Sequence, residues 1–591
     1  MNLLKHSKVT LLLVALVATL TLFNSCKRNN IYSPGTTFDN SKTTQGTIFG
    51  QVVAEDGAPL IDAEVRVGTN TFITGADGIF YFSKINTLQN ATLITVKKGN
   101  YMTGYRTLRI NTNKDHYARI MMIELKNPST VNAISGGNVN INGGGAISFP
   151  ANGIVYKDNG SPYNGTVTVY AKWLDPTGAN LNQLMPGDLR AIDGNSQERL
   201  LTSFGMMGVE LFDDAGKSLQ IATNKTAKLT FPIPSSIAMN APNSIPLWFF
   251  DAAIGMWKQE GTATKQGNNY VGDVKHFSFW NCDVPNNFIQ LDMTLTNASG
   301  VPYGNVMVKI TNPATSGIAY GYTNSLGFVS GAVPDNATLN IEVIMNPCNT
   351  TIYSQVVNTF SAPISLGTII VTTPYINTAT ITGTVVDCMG VPVSNGFASV
   401  ISSTGLASIV ATNASGGFNT SLILCSLPDL ATVGAYDMSS MLGNITTVSL
   451  NAGINNLGTL SACGTPVQFI NWSSTVGATT TNYSIMEPTG DFNAVYSGTL
   501  MTSISGGDSN IIGSLQYINF TFDGLDDVVG AHNLLSFQDH VDPNSIAGAA
   551  IPVMLTNYQP IGGFISGNFS GIITGGVIPS RTVTCSFSVK R

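Results

Sequence analysis

Charge is what this chain has least of. Only 10% of its 591 residues are Asp, Glu, Lys or Arg, against about a quarter in an ordinary soluble domain. Binding to nucleic acid through phosphates needs a basic face. Here 28 basic residues stand against 34 acidic ones, a net charge of −6, and no basic patch is interleaved with aromatics, so nucleic acid is not an expected partner. Histidine is scarcer still, with five in the whole chain. None stands in an H-x-x-E or H-E-x-x-H arrangement, so the site with one open position that a zinc hydrolase needs is not spelled out, and no metal or other cofactor is implied. A G-x-S-x-G nucleophile elbow and a phosphate-cradling P-loop are missing as well. No apolar run reaches the roughly 18 residues of a membrane-spanning helix. No window shows a convincing apolar stripe of period 3.6, which excludes a helix bundle.

What is present begins at the amino end. Lys5, His6 and Lys8 make a short positive start, Val9 to Phe23 is an uncharged run of 15 residues, and Leu22-Phe23-Asn24-Ser25-Cys26 closes it. Such a core is too short to cross a hydrocarbon layer of about 30 Å comfortably, and small Ser25 before Cys26 suits processing. The segment resembles a bacterial lipoprotein signal of the Bacteroidota type, although Phe23 and Asn24 depart from the commonest choices. The resemblance implies that residues 1–25 are cleaved and that Cys26 carries lipid, making the membrane a partner through that lipid. It implies an outer-membrane lipoprotein, on the periplasmic or the cell-surface side. The alternative is an ordinary secretory signal with Cys26 incidental. Cleavage removes Lys5 and Lys8, takes the net charge to −8 and leaves 566 residues, enough for about four or five domains of 100–150 residues. Residues 26–45 have little that could enter a core and read as a tether.

Three segments share one spaced pattern. They are GQVVAEDGAPLIDAEVRV from Gly50, LTNASGVPYGNVMVKI from Leu295 and GTVVDCMGVPVSNGFASV from Gly383. Each reads strand, turn, strand, with a Gly-x-Pro turn at Gly57 and Pro59, Gly300 and Pro302, and Gly390 and Pro392. Downstream come a threonine, three residues, a glycine and an aromatic: Thr74, Gly78 and Phe80; Thr323, Gly327 and Phe328; Thr412, Gly416 and Phe418. A second hairpin is expected, its aromatic pointing into the core. Alternation in Leu93–Val96, Leu339–Val343 and Leu366–Val371 fits half-buried strands. These segments resemble the carboxypeptidase regulatory-like domain, a non-catalytic prealbumin-like (transthyretin-like) β-sandwich, over residues 46–125, 288–372 and 376–462.

Residues 131–283 break the repeat with short strands between Gly and Pro, ending in aromatic runs at Trp248-Phe249-Phe250 and His276-Phe277-Ser278-Phe279-Trp280. This region resembles the ectodomain of cartilage intermediate layer protein, with a ZU5-like start, which implies a structural role. Residues 464–591 alternate again and read as a terminal β-sandwich or small barrel. The expected fold class is therefore all-β: tandem Ig-like or prealbumin-like β-sandwiches after a cleaved lipoprotein signal peptide. Joined by short linkers, such modules would form an elongated string that holds residues 464–591 away from the lipid.

Candidate site residues are few. Cys282, Cys348, Cys388, Cys425, Cys463 and Cys585 are an even set for an oxidising compartment and allow fifteen pairings. Cys388 and Cys425, on different strands of one sandwich, are the favoured disulfide, with buried free thiols as the alternative. Trp248, Trp257 and Trp280 are either a platform for a sugar ring or, as their alternation with phenylalanines favours, core. His532 and His540 with Asp539 are a weak metal candidate, and Asp523, Asp526 and Asp527 lack calcium-loop spacing and suit a solvated turn. Adjacent Asp213 and Asp214 alternate faces and do not converge like catalytic carboxylates. No catalytic residue is assigned. The function expected is a non-catalytic envelope or cell-surface scaffold or binding protein whose partner is a polysaccharide or another envelope protein. The alternative is a hydrolase of glycan or peptide with its site in 131–283 or 464–591.

Overall fold

Each Gly-x-Pro repeat builds its first two hairpins with the same latch, visible in a computed structural model of the protein. The structure describes residues 37–591 except 113, 301, 346–349, 360, 373–376, 441, 465–467, 478, 487–489, 498–499, 509–515, 526–527, 544–545, 548–550, 559–560, 562–563 and 575–579. The signal segment, Cys26 and the first part of the tether lie outside the described residues. In the turns, Gly57, Gly300 and Gly390 take φ of +86°, +78° and +79°, a region closed to most side chains. The prolines then bridge back to the strand they left, as Val53 to Pro59, Thr296 to Pro302 and Val386 to Pro392.

The spaced threonine closes the latch. Thr74 Oγ1 accepts the Ala63 N–H at 2.9 Å and donates to the Leu60 carbonyl at 2.5 Å. Thr323 does the same with Val306 N–H and the Tyr303 carbonyl at 2.9 and 2.6 Å, and Thr412 with the Gly396 N–H and carbonyl, both at 3.1 Å. All three hydroxyls are buried, where a lost partner is costly. Four residues on, Gly78, Gly327 and Gly416 have φ near +70° and press against the first strand. A Cβ on them would sit 2.4, 2.3 and 2.5 Å from the carbonyl oxygens of Val52, Leu295 and Val385.

Each repeat then completes a sandwich of a three-stranded and a four-stranded sheet. In the first unit, strand Thr43–Val53 pairs antiparallel with Ile79–Leu88 and parallel with Asp115–Met121, facing a sheet ordered Asn70–Ile73, Glu64–Val67, Thr92–Lys97, Gly104–Leu108. Strands Phe288–Thr296 and Asn377–Val386 are the corresponding centres of two further sandwiches. The stretch from Ser129–Asn132 to Phe279–Asn286 forms a thirteen-stranded sheet around Phe231, Tyr270 and Trp280, and Phe469–Val476 to Ser580–Lys590 a ten-stranded sheet around Trp472, Phe520 and Phe587. Among the described residues the only helical pieces are Leu181–Leu184 and Ala238–Asn240.

Four expectations are corrected. The first concerns an aromatic. Phe80 and Phe418 enter their cores, opposite Gly50 and Gly383, whose missing side chains leave room for the rings. Phe328 stands one position earlier relative to its glycine, and a one-residue offset in a strand reverses the face. In that repeat Val329 opposite Met293 fills the core, and Phe328 is half-buried on the other side.

The second is the disulfide. Cys388 pairs with Cys463, closing the ends of Asn377–Val386 and Gly453–Ser461, parallel neighbours whose Cα atoms at the bridge are 4.9 Å apart. Cys425 is disulfide-bonded to a residue other than Cys388. Cys282 and Cys585 are buried thiols.

The third is the string of independent modules. One apolar core runs through both the third and fourth units, from Ile289 to Ala462. Phe397, Ile401, Ala407 and Ile409 of the fourth unit enter the core of the first, and Met102 and Ile123 of the first pack with Trp248, Phe250 and Trp257 of the second. Tyr81, Phe397 and Tyr436 form a three-ring stack across the first and fourth units, with centroids 4.6 and 4.5 Å apart. At its edge the buried Asp77 carboxylate accepts hydrogen bonds from the Tyr436 and Ser399 hydroxyls. Outer faces expected to be solvated are apolar enough to interlock. The tether is also shorter than its expected end at residue 45, since strand pairing already begins at Thr43 and Asn40 bonds to Ala91.

Candidate ligand cavity between three sandwiches

Alternation on strand Asp115–Met121 sends Ala118 and Ile120 into the core of the first unit and leaves Asp115, Tyr117 and Arg119 on its outer face. That face meets the second and third units around a cavity of about 250 Å³. Four of the chain's nine arginines stand in its wall: Arg106, Arg109, Arg119 and Arg190. The third unit closes the other side with Gln290, Tyr320, Tyr322 and the outward-facing Phe328.

Each guanidinium is held in place. Arg106 donates to the Gly187 carbonyl at 3.0 Å and to the Asn182 carbonyl. Arg109 donates to Gln290 Oε1 at 3.1 Å and Asn90 Oδ1 at 3.4 Å, tying the first unit to the third. Arg119 reaches Gln183 Oε1, Gln51 Oε1 and the Gly405 carbonyl at 2.8–3.0 Å, touching the second and fourth units together. Arg190 pairs with Asp188 at 2.8 Å and with Glu198 at 3.3 Å. The loop that carries Asp188 is pinned from behind, because Trp257 Nε1 donates to the Asp188 carbonyl at 2.8 Å.

The site is electropositive. The lining acids are Asp115 and Asp188. Counting Glu198 beyond the wall as ionised, the four arginines still leave one positive charge in excess. Burial lowers Arg106 to about 10, and burial with the like charge of Arg190 lowers Arg109 to about 9. Burial pushes Glu198 up to about 8, outweighing the Arg190 guanidinium beside it. Among the buried wall atoms that make no hydrogen bond among the described residues are Arg190 Nη2, a donor, and Asn182 Oδ1, an acceptor. Lys114 Nζ lies 5.3 Å from the centroid of the Phe328 ring.

The sequence-derived candidates lie elsewhere. Trp248, Trp257 and Trp280 are fully buried, and their indole N–H groups donate to the carbonyls of Asp283, Asp188 and His276, so none can offer a face to a sugar. Both ring nitrogens of His532 face the backbone carbonyls of Asp523 and Val528, and His540 packs on Trp472 and Tyr483. Among the described residues no group of three metal-ligating side chains comes together. Asp213 Oδ1 caps its own turn through the N–H groups of Ala215 and Lys217. Asp523 accepts from Asn533, while Asp526 and Asp527 lie outside the described residues. Sequence reasoning missed the cavity. Its one local trace is Arg106, Arg109 and Arg119 within a chain poor in charge.

No protein-family model matches the chain. Among curated proteins it is similar to cartilage intermediate layer protein 1 of Mus musculus, 24% identical over 231 residues and 37% of this chain. It is likewise similar to cartilage intermediate layer protein 2 of Homo sapiens, 24% identical over 267 residues and 41% of this chain. The chain spans about a fifth of the length of these relatives, 19% and 23%. Among solved structures, the minor pilin GBS52 of Streptococcus agalactiae overlaps 30% of this chain and 97% of its own at 12% identity and a TM-score of 0.13. The Bacillus anthracis TIE protein overlaps 72% of this chain and 69% of its own at 11% identity and a TM-score of 0.13. Overlap at that level carries no argument about what this chain does.

Proposed function

We propose that this is a non-catalytic binding or scaffold protein of the cell envelope, held to the outer membrane by lipid on Cys26. Its partner is a polysaccharide or another envelope protein. The observation that carries the reading is the cavity where three sandwiches meet, walled by arginines and aromatic rings. Its guanidiniums are fixed by carbonyls, amides and carboxylates, which suits holding a ligand. Its one histidine, His116, accepts the Asn111 N–H at Nε2, so that nitrogen is occupied by the backbone and does not serve a nucleophile as base. The similarity to cartilage intermediate layer proteins supports a structural role without supplying a ligand.

The test is a glycan-array and peptide-library screen with the mature chain, followed for product formation. Saturable binding without turnover is expected; turnover of any arrayed glycan or peptide overturns the reading. The anchor is tested separately by Cys26→Ala, which should release the protein from the membrane fraction. Unchanged fractionation sinks the lipid.

A further inference from the structure

We infer that the cavity between the first three sandwiches binds the ring of an acidic sugar, a uronic acid, through Arg109, Arg190 and Asn182 with Tyr320 and Phe328 beside it. The inference rests on the binding-protein reading and adds a ligand class to it. Four observations converge. The wall has an excess of positive charge, with Arg106 and Arg190 buried and Arg109 and Arg119 half-buried, and an anion is what such a site lacks. Carboxylates suit guanidiniums because the two planar groups share two parallel hydrogen bonds.

Charge alone would equally admit phosphate or sulfate. The second observation sets sulfate apart, and the aromatic wall sets phosphate apart. Arg190 Nη2 and Asn182 Oδ1 belong to residues 96% and 93% buried and make no hydrogen bond among the described residues, which is unusual for buried polar atoms. One needs an acceptor and the other needs a donor. Sulfate offers only acceptors, and hydrogenphosphate keeps an O–H but has no apolar side, whereas a sugar acid offers a carboxylate, O–H groups and C–H faces together. Third, the rings of Tyr320 and Phe328 stand in the wall, and aromatic rings are the side chains against which the C–H side of a sugar packs. Fourth, a cavity of about 250 Å³ is roomy enough for a single sugar ring, since a water needs only about 10–15 Å³ of such space.

The experiment measures binding to the mature chain by calorimetry and by thermal shift, with D-glucuronate, its methyl glycoside, D-glucose and inorganic sulfate as probes. Saturable binding of glucuronate is expected, with glucose silent and sulfate weaker. Asn182→Leu and Arg109→Gln should each weaken glucuronate by about ten- to a hundredfold. Asn182→Leu keeps the backbone carbonyl that holds Arg106, so it reports on the ligand even if Arg109→Gln fails to fold. A methyl glycoside bound as well as the free acid points to a glycan as source, and a glycoside refused points to a free sugar acid. No saturable response to millimolar glucuronate, an equal response to glucose or sulfate, or full affinity in Asn182→Leu overturns the inference. Binding of an uncharged glycan on the array with glucuronate silent would overturn it while leaving the broader reading intact; turnover would remove the broader reading itself.

Discussion

At the scale of single residues, the repeats are held by hydroxyls and by missing Cβ atoms more than by charge. Thr74→Val keeps the shape but leaves the Ala63 N–H and Leu60 carbonyl without their shared partner. It should cost about 2 kcal/mol in urea unfolding. Gly78→Ala should cost at least as much, because the new Cβ would meet the Val52 carbonyl at 2.4 Å with φ at +68°. A loss near zero for either would show that the latch is ornamental. Glu198 makes a pH prediction. Its folded pKa is raised from 4.5 to about 8, so its contribution is fully present below 4.5 and is lost as pH rises through 8, since the folded state then keeps a proton that the unfolded chain has given up. Stability of the wild type should fall across that range, and Glu198→Gln should flatten the fall. A parallel pH profile for the two proteins would remove Glu198 as the cause.

At the scale of elements, parity along a strand decides more than residue type. The threonine, glycine and aromatic spacing was legible in the sequence, and it locates the second hairpin in all three repeats. What could not be read from spacing is that Phe328 lies one position off the register of Phe80 and Phe418. Phe418→Ala should therefore cost about 3–5 kcal/mol as a core truncation, whereas Phe328→Ala, half-buried beside the cavity, should cost well under half of that. Equal losses would place both rings in cores. The disulfide teaches the same lesson about adjacency. Cys388 and Cys463 are 75 residues apart in sequence and neighbours only because the first and last strands of the sandwich run parallel side by side. Cys388→Ser should destabilise the fourth unit by about 2–4 kcal/mol in oxidising buffer, and non-reducing peptide mapping should recover a Cys388–Cys463 peptide. Recovery of Cys388 joined to Cys425 would refute the pairing.

At the scale of the whole molecule, four of the five units share cores, and the residues 464–591 keep their own. Calorimetry should accordingly separate a large cooperative transition from a smaller one belonging to the terminal unit. Phe397→Ala removes the middle ring of the Tyr81, Phe397, Tyr436 stack and should lower the large transition while leaving the small one in place. A single transition in which all five units move together would contradict the separate core of residues 464–591, and a small shift in one sandwich alone would contradict the interlocking of the other four. The cavity exists only because of that interlocking, since its wall draws on three units.

The sequence by itself determined the strands, the turns and the latch, because each depends on residues a few positions apart whose geometry is set locally by φ, by a hydroxyl or by the absence of a Cβ. It also shows no basic run interleaved with aromatics and no H-x-x-E or H-E-x-x-H arrangement. Only the tertiary structure decided which outer faces meet, that Cys388 finds Cys463, that the three tryptophans are sealed in cores, and that four arginines from separate stretches surround one space. The reason is physical: the outer face of a half-buried strand reads the same in sequence whether water or another sandwich covers it, and the difference lies in partners hundreds of residues away.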